Sequence, residues 1–266
     1  MPIAVFKPTG FGRFKIYQKV SDKISLSPSE EDEWARIKKR FDLVCASGKT
    51  NNIKILIDAE ESWIQKAVDD LILEMMELYN KEAVIVYNTL QTYRWDRLEY
   101  LKKIHLKSHQ LNFKLGFKIV RGAYMEKERQ RAKEKGYKSP ICDSKAITDK
   151  LFNDTIQYSL SNLDTIHLFV GTHNEQSTHL AIELMKVCGI SNNDPRVWFG
   201  QLYGMSDHIS FNLAEHGYNV AKYVPFGPVK DVMPYLMRRA EENTSVAGQT
   251  NRELDLLAAE RKRRKI

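Results

Sequence analysis

Three cysteines, at positions 45, 142 and 188, are too few and too scattered for a disulfide frame or a zinc site. They suit reduced thiols in a cytosolic setting. No apolar run approaches the roughly 18–20 residues that cross a bilayer, so no transmembrane span is expected. The start, Met1-Pro2-Ile3-Ala4-Val5-Phe6, has no basic stretch ahead of a cleavable apolar one, and no secretion signal is expected. No GxGxxG follows a predicted strand, which removes the Rossmann dinucleotide fingerprint. Low-complexity tracts and close sequence repeats are also missing. What is there is a chain of 266 residues, 42% hydrophobic and 28% charged, suited to one large globular domain or two small ones. The net charge of +7 fits solvated lysines on helix faces, or an anionic cofactor, lipid surface or nucleic acid. The run Arg261-Lys262-Arg263-Arg264-Lys265 marks 251–266 as a basic tail behind a domain expected over 1–250.

A repeat does exist in pattern. Short apolar runs rich in Val, Ile, Phe and Tyr occupy 3–9, 53–59, 83–90, 113–124, 166–173, 197–204 and 220–227. Each reads as a buried parallel strand. Between them, Ile64, Ala67, Val68, Leu71, Met75 and Leu78 recur at helical spacing, as do Trp95, Leu98, Leu101 and His105. Further helices are expected at about 30–47, 144–161, 176–188, 206–216 and 229–243. Alternating strands and helices specify an α/β fold. Seven strand–helix units are one short of a (β/α)8 barrel, so a TIM-type barrel lacking its first strand and helix is expected, with an open doubly wound sheet as the rival.

Polar residues gather where these strands end. They are Lys7, Asp58-Ala59-Glu60-Glu61, Asn88-Thr89-Leu90-Gln91, Arg121-Gly122-Ala123-Tyr124, Gly171-Thr172-His173-Asn174, Gln201-Leu202-Tyr203-Gly204 and Tyr223-Val224-Pro225-Phe226-Gly227. In a barrel these ends share one face, where barrel enzymes do their chemistry. Some of these residues also have ordinary structural readings: His173 as a core histidine, the tyrosines as core packing, Lys7 with Asp58 as a buried ion pair. Arg238 and Arg239, adjacent on a helix and thus about 100° apart, do not grip one ligand by spacing alone.

Taken in order, Asp58-Ala59-Glu60-Glu61, Arg121-Gly122-Ala123-Tyr124, Thr172-His173-Asn174, the stretch 199–205 and the stretch 222–243 make the chain resemble proline dehydrogenase. The likeness covers both the monofunctional enzyme and the matching domain of bifunctional proline-utilisation flavoenzymes, and it runs from about residue 3 to 250. The resemblance implies a distorted (β/α)8 barrel in which 3–9 is the second strand. It implies oxidation of L-proline to Δ1-pyrroline-5-carboxylate by hydride transfer to FAD, with a membrane quinone reoxidising the flavin.

The resemblance also assigns roles. Lys7, Arg238 and Arg239 would meet the substrate carboxylate, where a guanidinium fork can bond two oxygens. Asp58 would pair with Lys7. Tyr124, Leu202, Tyr223 and Tyr235 would wall the proline ring. Cofactor contacts would come from Asn88, Lys118, Val120, Arg121, Gly122, Ala123, Lys145, Thr148, Thr172, His173, Asn174, Gln201 and Glu242. Lys118, near the flavin's reactive nitrogen, stands where many bacterial members have arginine; lysine is typical of the eukaryotic-type branch. Met125 replaces an aromatic that stacks on the flavin in some bacterial members. No metal and no nucleic acid are expected. The implied location is cytoplasmic, with peripheral contact on the bacterial inner membrane, or on the mitochondrial inner membrane if the source is eukaryotic. Three other readings stay open: a catalytically impaired remnant of that enzyme, a barrel acting on a phosphorylated substrate, and a polyanion-binding barrel.

Overall fold

Runs of β-branched and aromatic residues form strands, and the amphipathic stretches between them form helices, in the computed structural model, which describes residues 2–230, 232–233, 235–237 and 258–264. The strands are β1 (Ile3–Phe6), β2 (Lys54–Ile57), β3 (Val86–Gln91), β4 (Leu115–Val120), β5 (Ile166–Gly171), β6 (Val197–Leu202) and β7 (Val220–Tyr223). They make one seven-stranded sheet in sequence order. The ladders from β1 to β6 are parallel, with Val5 opposite Leu56, Leu56 opposite Tyr87 and Thr89 opposite Lys118. The helices are α1 (Phe14–Ser21), α2 (Pro28–Asn51), α3 (Ser62–Tyr79), α4 (Arg97–Leu111), α5 (Met125–Lys135), α6 (Lys145–Leu160), α7 (Glu175–Val187) and α8 (Asp207–Glu215).

Sequence reading gave the strands and the longer helices to within a few residues, but it missed α1 and α5. The run expected over 113–124 ends as a strand at Val120. Gly122 then turns the chain at φ 134°, where a Cβ would lie 2.5 Å from the Tyr93 ring, and Tyr124 becomes the N-cap of α5. Local chemistry sets other boundaries. At α2, Ser27 and Glu30 form a capping box with Pro28 in the first turn, and Asn52 ends the helix in the left-handed region at φ 51°. Asn174 caps α7 by accepting from Ser177 N at 2.8 Å.

The sheet curls. Lys54, which opens β2, donates to the carbonyl of Pro195 at 2.9 Å and lies 5.0 Å from the Trp198 ring on β6. Four strand spacings in a flat sheet would separate these groups by about 19 Å, far beyond one side chain. The inner face therefore closes on itself, and Leu56, Val84, Tyr87 and Phe169 form a small core there with Ile3, Val5, Trp198 and Ala221 packed against it. Two larger cores fill the layer between sheet and helices. One gathers residues such as Tyr17, Phe41, Ile57, Val68 and Phe117; the other gathers Ile119, Phe152, Val170 and Phe199. The chain divides into two compact units, Met1–Lys222 and Tyr223–Ile266. In the second, Tyr223 stacks on Tyr235, and in the expected basic tail Glu260 accepts from Arg263 and Arg264 at 2.6 Å.

Lys54 is an ammonium placed among aromatic rings. Burial pushes it down to about 8, against the pull of Asp194. Its folded value lies below the ordinary 10.5, so stability should climb between pH 8 and 10.5, where the unfolded chain holds the extra proton. Lys54→Met is expected to raise stability at pH 7 by on the order of 1–3 kcal/mol and to flatten that alkaline rise. Urea melts across pH 7–10 give the comparison, and a wild-type curve already flat there would refute the assignment.

Candidate active site

In a strand successive side chains point to opposite faces, so residues two apart share one. Lys7 follows β1, Asp58 follows β2 and Lys118 lies within β4, and all three meet near the C-terminal ends of their strands. Lys7 Nζ donates to Asp58 Oδ2 at 3.1 Å, and Lys118 Nζ donates to Asp58 Oδ1. The β3 residue between them is Thr89, small enough to let Lys118 reach across; its hydroxyl donates to the carbonyl of Ile57 at 2.7 Å. Asp58 is 8% exposed and Lys118 7%, whereas the Lys7 side chain is 41% exposed. Burial acts to raise the Asp58 carboxyl, but Lys118 and then Lys7 outweigh it and hold it below its usual range.

Tyr124 joins this group. Burial raises its phenol, Lys7 draws it down, and Glu60, Glu61 and Asp58 push it up. The loop after β2 adds Glu60, which accepts from Thr9 N at 3.0 Å and Thr9 Oγ1 at 2.8 Å; desolvation raises its carboxyl against those bonds. Val120 ends β4 opposite Gln91, and Leu202 ends β6; both are half-buried. Gly122 and Ala123 are exposed in the turn that follows β4.

The remaining expected residues have partners of their own. Asn88 and Gln201 were expected beside the flavin, but strand alternation puts them on the outer face, toward the helices. Asn88 donates to Asp69 at 2.9 Å, in a buried network with Arg97. Gln201 donates to the Thr172 carbonyl at 3.1 Å and accepts from Ser210 of α8 at 2.8 Å. The three nitrogens of the Arg121 guanidinium are engaged by Asp149, Thr172 and Ser177 at 2.6, 2.8 and 3.0 Å, with the group 4.4 Å from the Phe152 ring. Arg121 thus fastens the turn after β4 to α6 and to the Thr172-His173-Asn174 segment. Within that segment His173 Nδ1 lies 3.0 Å from Ser206 Oγ, and Asn174 is the α7 cap. Lys145 is exposed and pairs with Asp149, while Thr148 is buried and donates to the Ser144 carbonyl at 3.3 Å. Tyr223 and Tyr235 stack at 6.0 Å. Arg238, Arg239 and Glu242 lie outside the described residues.

One polar atom stands out. Gln91, the last residue of β3, is 3% exposed, and among the described residues its Oε1 has no hydrogen-bond partner. Its amide nitrogen makes only a long bond, 3.4 Å, to the Ala59 carbonyl. A buried amide oxygen left unpaired costs about 1–3 kcal/mol unless a ligand supplies a donor. The ring edge of a flavin carries such donors and acceptors, so Gln91, Val120 and Lys118 fit that group. Sequence reading took Gln91 only as part of a polar strand end. Its parity with Thr89, which faces Asp58 and Lys118, is the signal that was missed.

Asp58→Asn should remove the carboxylate to which both ammonium groups donate, and lower stability by roughly 3–5 kcal/mol in urea unfolding at pH 7. The folded carboxyl titrates below the ordinary 3.8. Its contribution is therefore full above about pH 4 and fades as pH falls through the folded value, and the substitution should flatten that acid arm. Equal unfolding midpoints for the two proteins at pH 7 would show that the cluster carries no stability.

Comparison with known proteins accords with this geometry. The proline dehydrogenase family profile matches residues 10–252. Over 266 residues, all of the chain and 68% of the relative, the sequence is 35% identical to the carbapenem antibiotics biosynthesis protein CarD of Pectobacterium carotovorum subsp. carotovorum. It is 40% identical over 232 residues to mitochondrial proline dehydrogenase 1 of Dictyostelium discoideum, covering 85% of this chain and 41% of that protein. The human mitochondrial proline dehydrogenase 1 is 38% identical over 238 residues, 88% of this chain and 40% of the relative. The chain therefore spans well under two thirds of the mitochondrial relatives' length. In fold, it matches proline utilization A of Bdellovibrio bacteriovorus with a TM-score of 0.80 over 91% of this chain and 24% of that one, at 22% identity. With that barrel, the family profile across nearly the whole sequence and identities of 35–40%, the chain belongs to the proline dehydrogenase family.

Proposed function

We propose that this chain oxidises L-proline to Δ1-pyrroline-5-carboxylate with FAD as its cofactor. The observation that carries the reading is the buried cluster in which Lys7 and Lys118 share the carboxylate of Asp58, with Tyr124 beside it, at the C-terminal end of a parallel barrel sheet. Lys7, with Arg238 and Arg239, would bind the proline carboxylate. Tyr124, Leu202, Tyr223 and Tyr235 would wall the ring methylenes, which offer no hydrogen bonds. Gln91, Val120, Lys118, Gly122 and Ala123 would hold the flavin. When bound, FAD supplies the two-electron acceptor for the hydride that leaves C5.

The rest of the reaction belongs to the chain's own groups. The proline amine must lose a proton for its lone pair to form the C=N bond as C5 gives up hydride. Asp58, held ionised by two ammoniums, is a weak base, so the proton goes to water. The role of Asp58 is to hold Lys118 and Lys7 in place, so that positioning and charge complementarity do the work. Electrons then pass to a membrane quinone. Among the described residues no helix is long and apolar enough to cross a membrane, and the proposed contact is peripheral. The match to CarD over the whole chain supports a second setting for the same chemistry, in which the imine feeds a biosynthetic rather than a catabolic route.

Purified protein should show flavin absorbance and reduce an electron-accepting dye when L-proline is added. A colourless protein that takes up no FAD would sink the reading and leave the impaired remnant in its place. Lys7→Ala, Arg238→Ala and Arg239→Ala should each raise KM for proline by about 10- to 100-fold, the loss of one charge-assisted bond. Gln91→Leu should lower flavin content after gel filtration and leave KM little changed in the fraction that stays loaded; full flavin content would remove Gln91 from the cofactor site.

A further inference from the structure

We infer that Glu128 is a positioning residue, whose buried carboxylate fastens α5, and with it Tyr124, to the loop that carries Asp58. The inference rests on the reading of this site as the proline site. α5 buries only Glu128 and Ala132, so apolar packing does little to hold it. Glu128 is 0% exposed and accepts from Ser62 N and from Ser62 Oγ, both at 2.6 Å. Ser62 is the first residue of α3, and Glu61 at its N-cap makes no side-chain capping bond. Glu128 therefore caps α3 from another helix, with its negative charge at the positive end of the α3 dipole.

Two further contacts run from α5 to the same short segment. Lys127 pairs with Glu61, and the Arg131 guanidinium lies 4.4 Å from the Trp63 ring. At its other end α5 starts from Tyr124, whose carbonyl accepts from Glu128 N at 2.9 Å. One residue thus holds Tyr124 through its main chain and the loop after Asp58 through its side chain. Beside this anchor a recess of about 350 Å³, lined in part by Ser62, Trp63, Arg131 and Tyr137, leaves the flank of α5 unpacked. The carboxylate, not a hydrophobic interface, sets the distance between Tyr124 and the Lys7–Asp58 pair. It therefore sets the fit of the proline ring.

The test uses the full flavin-loaded chain as wild type, Glu128→Ala, Glu128→Gln and Ser62→Ala, with proline kinetics, flavin stoichiometry and backbone hydrogen exchange. Glu128→Ala should raise KM for proline about tenfold with kcat within about threefold and flavin content unchanged. Its α5 amides should exchange about tenfold faster or more, while those of β4 keep their protection. Glu128→Gln, whose amide can accept from Ser62 N and donate to Ser62 Oγ, should stay within about twofold of wild type, and Ser62→Ala should shift KM about two- to threefold. Unchanged KM and unchanged α5 exchange in Glu128→Ala would overturn the inference. So would exchange that rises equally in β4, which would mark a general loss of stability. If Glu128→Ala does not fold, Ser62→Ala decides by the same two readouts. If wild type does not turn over proline, the functional reading fails, and α5 exchange still judges the anchor.

Discussion

A carboxylate held between two ammonium groups is the interaction around which the upper end of this barrel is arranged. Asp58 brings one carboxylate to meet both Lys7, which is partly exposed, and Lys118, which is buried. Lys118 without Asp58 would lose the carboxylate it donates to. Asp58 without the lysines would take up a proton. The arrangement also demands that β1, β2 and β4 end at one level and turn the same face inward, because the groups stand on three strands with β3 between two of them. The curl of the sheet and the small side chain of Thr89 satisfy that demand.

The two faces of the sheet divide the labour. Inward positions at the strand ends carry Asp58, Gln91, Lys118 and Leu202. Outward positions one residue away carry Asn88 and Gln201, whose amides tie strands to helices. Arg121 shows the same economy: it fastens three elements, through Asp149, Thr172 and Ser177. A cofactor bound near that turn would meet exposed Gly122 and Ala123 in a loop whose geometry Arg121 has fixed. Rigid support and ligand contact thus fall to neighbouring residues in the chain.

That division explains what could be read beforehand. β-branched runs and helical spacing gave the strand–helix alternation, and polar strand ends gave the candidate site. Lys7, Asp58, Lys118 and Tyr124 followed from likeness to a family and come together in space. Asn88 and Gln201 did not, because inward or outward parity on a strand depends on register with its neighbours, and Thr89 opposite Lys118 is a fact of pairing that no single strand encodes. Gln91 was passed over for the same reason. α5 was missed because Met125–Lys135 has no apolar face to betray it. Its chief fixing is a carboxylate bond to Ser62, 66 positions earlier, a contact that local pattern cannot reveal.

Two lysines on the inner face differ in what answers their charge. Lys54 is 4% exposed and Lys118 is 7%, so burial alone does not separate them. Lys54 is answered by one carbonyl and by the rings of Tyr87 and Trp198, and desolvation prevails, pulling its titration down to about 8. Such a group plugs the barrel at a cost to stability and offers a ligand little. Lys118 donates to a full carboxylate, which fixes its direction. A donor group held in a fixed direction, on the same inner face as Gln91, suits contact with a bound ring system. At the lower end desolvation outweighs the pull of Asp194 on Lys54, whereas at the upper end the carboxylate at position 58 bonds the ammonium directly.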